Sequence, residues 1–168
     1  MEGCIKENQN SIFNISLGSV DKVNESVLLK IFKECHPELE WISNIPEEQK
    51  EAVIAQQFAI EKQQLMMIYP EAELNIIFSD GKAIGRIYIY YGKNTDRILE
   101  IGLLKEYRRQ GIGQSVIREV IEKAVDREKT VSLQVTWFNR DACRLYQKLG
   151  FQIVENKGVV CEMRYVKP

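Results

Sequence analysis

The sequence predicts an α/β (α+β) fold: a mixed central sheet of about six to seven strands with helices on both faces. Three observations carry that expectation. Two β-rich runs flank Asp80-Gly81, a dipeptide suited to a two-residue hairpin. After Gly111 the apolar residues switch to helical spacing. From there strands and helices alternate, and a strand–helix–strand crossover is expected to be right-handed.

The elements follow in order. Residues 12–16, Ile-Phe-Asn-Ile-Ser, alternate as a first strand. Val23 to Cys35 reads as a helix, with Leu28, Leu29, Ile31 and Phe32 on its apolar face. Pro37 to Ile45 reads as a loop. A long helix runs from Pro46 to Met67. Asn44 with Glu47 resembles a capping box, proline is tolerated in a first turn, and Tyr69-Pro70 ends the helix. Leu74–Ser79 and Ala83–Tyr91 are the hairpin strands, and Gly92 to Asp96 is a turn. Ile98–Leu104 is almost wholly apolar, as a central strand covered on both faces would be. Beyond Gly111, Ile112, Val116, Ile117, Val120, Ile121, Ala124 and Val125 form one helical stripe. Val131–Thr136 is a strand and Asn139–Leu149 a helix, closed by Gly150 in the left-handed region. Phe151–Val154 and Val159–Val166 form a last hairpin around Asn156-Lys157-Gly158.

A length of 168 residues fits a single domain, 1–168, with residues 1–11 as a flexible N-terminus. The net charge of −1, without a basic tail, argues against a nucleic-acid partner. Cys4, Cys35, Cys143 and Cys161 form no C-x-x-C pair, and the one histidine, His36, directly follows Cys35. Tetrahedral metal sites need ligands converging from separated positions, so no metal is expected. Scattered cysteines suit free thiols in a reducing compartment. The first 11 residues lack the apolar stretch of a signal peptide, and no apolar run reaches the length of a membrane span. A cytoplasmic protein, monomer or homodimer, without a membrane partner is expected.

The chemistry concentrates in Arg108-Arg109-Gln110-Gly111-Ile112-Gly113, between a buried strand and an amphipathic helix. Glycines let a backbone approach a ligand closely. Unpaired N–H groups of a first helical turn point at an anion, and the helix dipole favours negative charge there. Arg108 and Arg109 would add charge-assisted contacts. Neither G-x-x-x-x-G-K-[ST] nor G-x-G-x-x-G is present, which argues against a nucleotide-binding protein of another class. A plain structural turn is the other reading.

That segment resembles motif A of the GCN5-related N-acetyltransferase (GNAT) family, [RQ]-x-x-G-x-[GA], with Arg108, Gly111 and Gly113 in the defined places. Asn139-Arg-Asp-Ala142-Cys-Arg-Leu145-Tyr146-Gln-Lys148-Leu-Gly150-Phe151 resembles its motif B. The likeness covers about Ile98 to Phe151 and implies the acyl-CoA N-acyltransferase fold. It implies an acetyl-CoA-dependent N-acetyltransferase, with acetyl-CoA as acyl donor and an amine acceptor as partners. The alternative is a non-catalytic CoA-binding regulatory module on the same fold, since fold and function separate.

Carried onto this chain, the resemblance implies that the backbone at Leu103 and Leu104 pairs with the pantetheine arm. The amides of Arg109, Gln110, Gly111, Ile112 and Gly113 would hold the diphosphate, with Gln114 just beyond. Where family members often have Pro and Gly, this chain has Lys105 and Arg109. Asn139 would contact the cofactor arm, or serve only as a helix cap. Tyr146, with Ala142 on the same helix face, would approach the thioester sulfur as an acid, or be a core aromatic. Cys143 has no histidine partner and reads as packing.

A lysine-like amine, with a pKa of about 10.4, is protonated near neutrality and must lose that proton before it attacks. Glu100 is the only charged side chain in the Ile98–Leu104 run. It can be the base, or it can be held in a salt bridge to Arg97 or another basic residue. The thiol leaving group, with a pKa of about 8.5, needs little help from an acid. The N–H near Leu103 could polarise the thioester carbonyl. His36, Trp41, Gln57, Phe58, Gln64 and Tyr69 are candidate linings of the acceptor site, or core and solvated positions.

Overall fold

The computed structural model describes residues 3–4 and 13–168. The expected flexible segment 1–11 therefore lies outside the described residues, except for Gly3–Cys4, which form a two-residue strand, β1. Then follow β2 (Ile15–Ser19), α1 (Glu25–Cys35), α2 (Glu47–Ile68), β3 (Glu73–Ser79), β4 (Lys82–Tyr91) and β5 (Thr95–Leu103). The chain continues with α3 (Ile112–Asp126), β6 (Thr130–Thr136), α4 (Arg140–Lys148), β7 (Phe151–Asn156) and β8 (Val160–Tyr165).

The strands form one sheet in the order β1-β2-β3-β4-β5-β6-β8-β7. Every neighbouring pair is antiparallel except β5 and β6, which are parallel and joined through α3. The sheet is thus mixed, with seven strands of five residues or more besides β1. The Asp80-Gly81 hairpin is present, with both residues at positive φ (48° and 79°).

Several sequence expectations fail locally. The first strand is Ile15–Ser19 rather than 12–16, and β5 begins at Thr95, inside the expected 92–96 turn. Residues Pro37–Asn44 form 3-10 turns rather than a loop, burying Leu39 and Ile42. Those apolar residues are three apart, the period that a 3-10 helix places on one side. The capping box does not form either. The residue capping α2 is Pro46, without a side-chain hydrogen bond, and Asn44 belongs to the preceding 3-10 segment.

Side-chain alternation on β4 sends its residues to two different cores. Ile87 and Ile89 pack with Val116, Ile117 and Val120 of α3. Arg86 instead faces Phe32 of α1 and Phe58 of α2, which belong to a second cluster with Leu29, Leu39, Ile42 and Ile54. Helices therefore cover both faces, as expected.

Two features position the site. Asp96 on β5 is fully buried, and Arg127 at the end of α3 and Lys129 before β6 reach it at 2.5 and 3.5 Å. This staple fixes α3 against the sheet. Secondly, β5 pairs with β6 only from Thr95 to Ile98, whereas its pairing with β4 continues to Leu103. Beyond Ile98 the two parallel strands part and leave a split in the sheet.

Candidate active site

The split has a defined hydrogen-bonding edge. In an antiparallel ladder alternate residues turn both backbone groups to the same neighbour. Leu104 donates its N–H to Ile84 at 2.8 Å, so Leu104 and Gly102 face β4. The same alternation turns Ile101 and Leu103 toward the side that β6 has vacated. Of the two positions expected to pair with an extended arm, Leu103 presents its backbone and Leu104 does not. Leu104 is also only 3% exposed. Ile101, which the motif likeness did not mark, presents the same edge as Leu103.

At the mouth of the split the chain makes a 3-10 turn at Lys105–Tyr107 and then enters α3. Arg109 (φ 60°) and Gly111 (φ 81°) both adopt the left-handed region, which is easy for glycine and strained for arginine. The first hydrogen bond at the helix start runs from Ser115 N–H to the Gly111 carbonyl, at 3.1 Å. The N–H groups of Ile112, Gly113 and Gln114 thus have no partner inside the helix and add their dipoles at its N-terminus. No atom lies within 4 Å of where a Cβ on Gly111 would stand.

A cleft of about 440 Å³ joins this helix start to the split and to α4. Leu103, Arg108, Arg109, Gly111, Ile112, Gly113, Gln114, Ala142 and Tyr146 all line it. Gly102, Ile117, Asp141 and Leu145 line it too and were not singled out; Leu145 lies one turn beyond Ala142, a helical spacing that pointed to it. Gln110 and Asn139 stand outside. The Gln110 side-chain amide donates to the Glu106 carbonyl at 2.8 Å. Asn139 accepts from the Ala142 N–H at 3.2 Å, the helix-capping role.

The two arginines differ. The Arg109 side chain is exposed and meets Asp141 at 3.2 Å. Arg108 is exposed too but folds back on the chain, donating to the Leu103 carbonyl at 2.9 Å and to the Glu34 carbonyl of α1 at 2.6 Å. It braces the end of β5 and ties it to α1. Tyr146 packs edge-on against Phe151, with ring centroids 5.8 Å apart, and burial raises the pKa of its hydroxyl. Cys143 packs against the core, as expected.

A second centre lies where α1, α2, β4 and β5 meet. Arg86 is 1% exposed and grips both Glu61 oxygens, at 2.8 and 2.7 Å. It also reaches Glu100 at 2.8 Å. The salt-bridge partner of Glu100 is therefore Arg86; Arg97 pairs with Glu162 instead. His36 approaches Glu61 at 3.1 Å and Glu100 at 3.5 Å. Phe32, Phe58 and Tyr88 surround the guanidinium at 5.3, 6.0 and 5.3 Å.

The two carboxyls in this shell differ. Burial raises the pKa of Glu100; Arg86 opposes the rise and the Glu61 charge adds to it. Burial also pushes Glu61 up, but hydrogen bonds from His36 and Arg86 overcome it and hold Glu61 well below the usual carboxylate range. Glu100 is thus the carboxyl whose proton affinity is tuned upward, as a general base requires. His36, Glu61 and Glu100 are grouped closely enough for a cation. The Arg86 guanidinium already supplies the positive charge between the two carboxyls.

Sequence reasoning singled out Glu100 of this cluster but not Arg86 or Glu61, which come from other elements. Among the acceptor-side candidates, His36 joins this cluster and Phe58 is core. Tyr69 stacks on Tyr90 at 5.2 Å, while Trp41 is 48% exposed.

The site is thus a split mixed sheet, with unpaired amides at a helix start beside the split and a carboxyl of raised proton affinity on the splitting strand. The chain belongs to the acetyltransferase (GNAT) family, whose sequence pattern matches residues 28–151. It is similar to a candidate ribosomal protein bS18-alanine N-acetyltransferase of Bacillus subtilis (strain 168), with 31% identity over 84 residues. That match covers 49% of this chain and 56% of the relative, so the chain spans little more than half of that curated protein's length. Its fold is similar to that of the PaiA N-acetyltransferase from Thermoplasma acidophilum in complex with coenzyme A. There the TM-score is 0.67 at 20% identity, covering 91% of this chain and 99% of that one. The ribosomal-protein-S18-alanine N-acetyltransferase from Escherichia coli superposes with a TM-score of 0.58 at 17% identity, over 90% and 92% of the two chains.

Proposed function

We propose that this protein transfers the acetyl group of acetyl-CoA to a primary amine by direct attack on the thioester. The observation that carries the reading is the cleft. One end offers the free N–H groups of Ile112, Gly113 and Gln114, suited to a diphosphate. The other offers the Ile101 and Leu103 edge, suited to an extended amide-bearing arm. The structure with coenzyme A among the neighbours of this fold supports it.

In this reading the Leu103 N–H polarises the acetyl carbonyl. The amine attacks in its neutral form, and Glu100 takes a proton from its nitrogen as the new C–N bond forms. Tyr146 donates its proton toward the sulfur as the C–S bond breaks. Because burial raises the Tyr146 pKa, it stays protonated at neutral pH and its contribution is modest. Since burial also raises the Glu100 pKa, the rate should climb with pH through a midpoint above the ordinary carboxylate range. Free thiols at Cys35, Cys143 and Cys161 suit work in a reducing cytoplasm. Of the described residues, no helix is long and apolar enough to cross a membrane.

The test is a thiol-release screen with acetyl-CoA against small amines, amino acids and peptides. An alanine-initiated peptide belongs in the panel because of the bS18-alanine relative. Release of CoA with at least one amine is expected. CoA binding without thiol release for any amine would instead indicate a non-catalytic binding module. Gly111→Glu is expected to abolish CoA binding, since it places an anion at the helix start and strains a left-handed position. Calorimetry showing unchanged affinity in that variant would remove the site assignment.

A further inference from the structure

His36 ends α1 with its ring held at both nitrogens. Nδ1 lies 2.7 Å from the Phe32 carbonyl, a group that only accepts, so Nδ1 carries a hydrogen. Nε2 lies 3.1 Å from Glu61 Oε1 and 3.5 Å from Glu100 Oε1. Arg86 Nη2 donates to those same two oxygens, at 2.7 and 2.8 Å, which marks both as acceptors. A hydrogen on Nε2 as well would satisfy both oxygens and make the ring an imidazolium. The imidazolium and Arg86 then supply two cations to two carboxyls, which lie close enough to hydrogen-bond to each other when Glu100 is protonated. Without the imidazolium, Arg86 alone would face two anions in a space that water reaches poorly.

The groups facing Glu100 come from three elements: Arg86 and Tyr88 on β4, Glu61 on α2, and Cys35 and His36 at the end of α1. Most are fixed in charge near neutrality. Arg86 is held above its ordinary value, against burial, by Glu61 and Glu100. Burial pushes Tyr88 to about 12 and Cys35 to about 11. Glu61 is held low. His36 is the member whose ordinary pKa lies nearest neutrality. Burial lowers its pKa, but the Glu61 hydrogen bond and the Phe32 carbonyl raise it by more.

We propose that His36 is a positioning residue for acyl transfer, its imidazolium anchored at Phe32 and shared between Glu61 and Glu100 so that Glu100 stays ionised and aimed until it takes the acceptor's proton. The proposal rests on Glu100 being the base. The proton leaves the acceptor nitrogen as the C–N bond forms and lands on the Glu100 carboxyl; His36 keeps both of its own. Loss of the imidazolium removes a cation 3.5 Å from the base and makes the carboxylate harder to form.

His36 is the chain's one histidine, so its ring resonances need no assignment. Nitrogen-15 NMR of the full chain at pH 7 is expected to show both ring nitrogens protonated. A neutral tautomer there overturns the proposal, whatever happens to the variants. In His36→Gln, the Glu100 carboxyl resonance, identified by its loss in Glu100→Gln, is expected to titrate about 1 pH unit higher than in the wild type. CoA affinity by calorimetry is expected to stay the same, which a merely misfolded variant would not allow. An unmoved Glu100 titration overturns the proposal while leaving Glu100 as base. Full thiol release by Glu100→Gln, with the amine selected above, overturns both.

Discussion

The side chain of Tyr146 shows how far a single residue can be assigned. It lines the cleft and its hydroxyl has a raised pKa, which suits a proton donor rather than a phenolate. A CoA-type thiol is already a fair leaving group, so the gain from an acid falls below the usual hundredfold or more. Tyr146→Phe is expected to lower kcat about tenfold and to leave CoA affinity unchanged. Steady-state kinetics paired with calorimetry decides this, and an unaltered kcat would take Tyr146 out of the chemistry. Residues such as Tyr146, Gly111 and Glu100 were legible because each carries a local sign: a motif position, or one charge in an apolar run. Arg86 had no such sign. Its partners Glu61 and Glu100 are 25 and 14 positions away in opposite directions, and nothing local shows that three elements turn these groups inward.

Among the elements, α1 and β5 are packed unusually close. A Cβ on Gly102 would collide with the Cys35 sulfur, so the glycine lets the end of α1 settle onto the strand. That contact brings Glu34 and His36 to the site, since they flank Cys35. Gly102→Ala is expected to destabilise the fold by about 1–3 kcal/mol, the range of an overpacked contact. Adding Cys35→Ala should recover part of that loss through coupling between the two positions. Denaturant unfolding of the two single variants and the pair tests it; strict additivity would mean that the contact is not limiting. The elements themselves were largely readable from periodicity. The exceptions have physical causes. The 37–44 segment follows a period of three that short-range patterns do not separate from a loop. The capping signal at Asn44 was defeated by Pro46, whose φ of −54° and position begin the helix without side-chain help.

Among the described residues the molecule is a sheet that splits where its one parallel pair ends. The alternation of strands and helices was readable; the split was not, because it depends on where β6 abandons β5 for β8. A ligand held in the cleft at the middle of the sheet would be linked to stability. A ligand that binds only the folded state stabilises it by mass action, by about 2.7 kcal/mol at 100 times its Kd. For a chain of this size that corresponds to a rise in melting temperature of about 5–10 °C. Thermal melts with and without CoA should show the rise in the wild type and none in Gly111→Glu; equal rises in both would place CoA elsewhere.

Arg108 gives the bracing of the split a further meaning. One guanidinium holds the last carbonyl of β5 and a carbonyl of α1, the helix that also carries His36. In the proposed reaction the donor and acceptor halves would share a single mechanical joint. Any effect of one substrate on the other's affinity would then be reciprocal, by the same factor. The order in which the two arrive would be a matter of kinetics, while their mutual tightening or loosening would be written into one side chain.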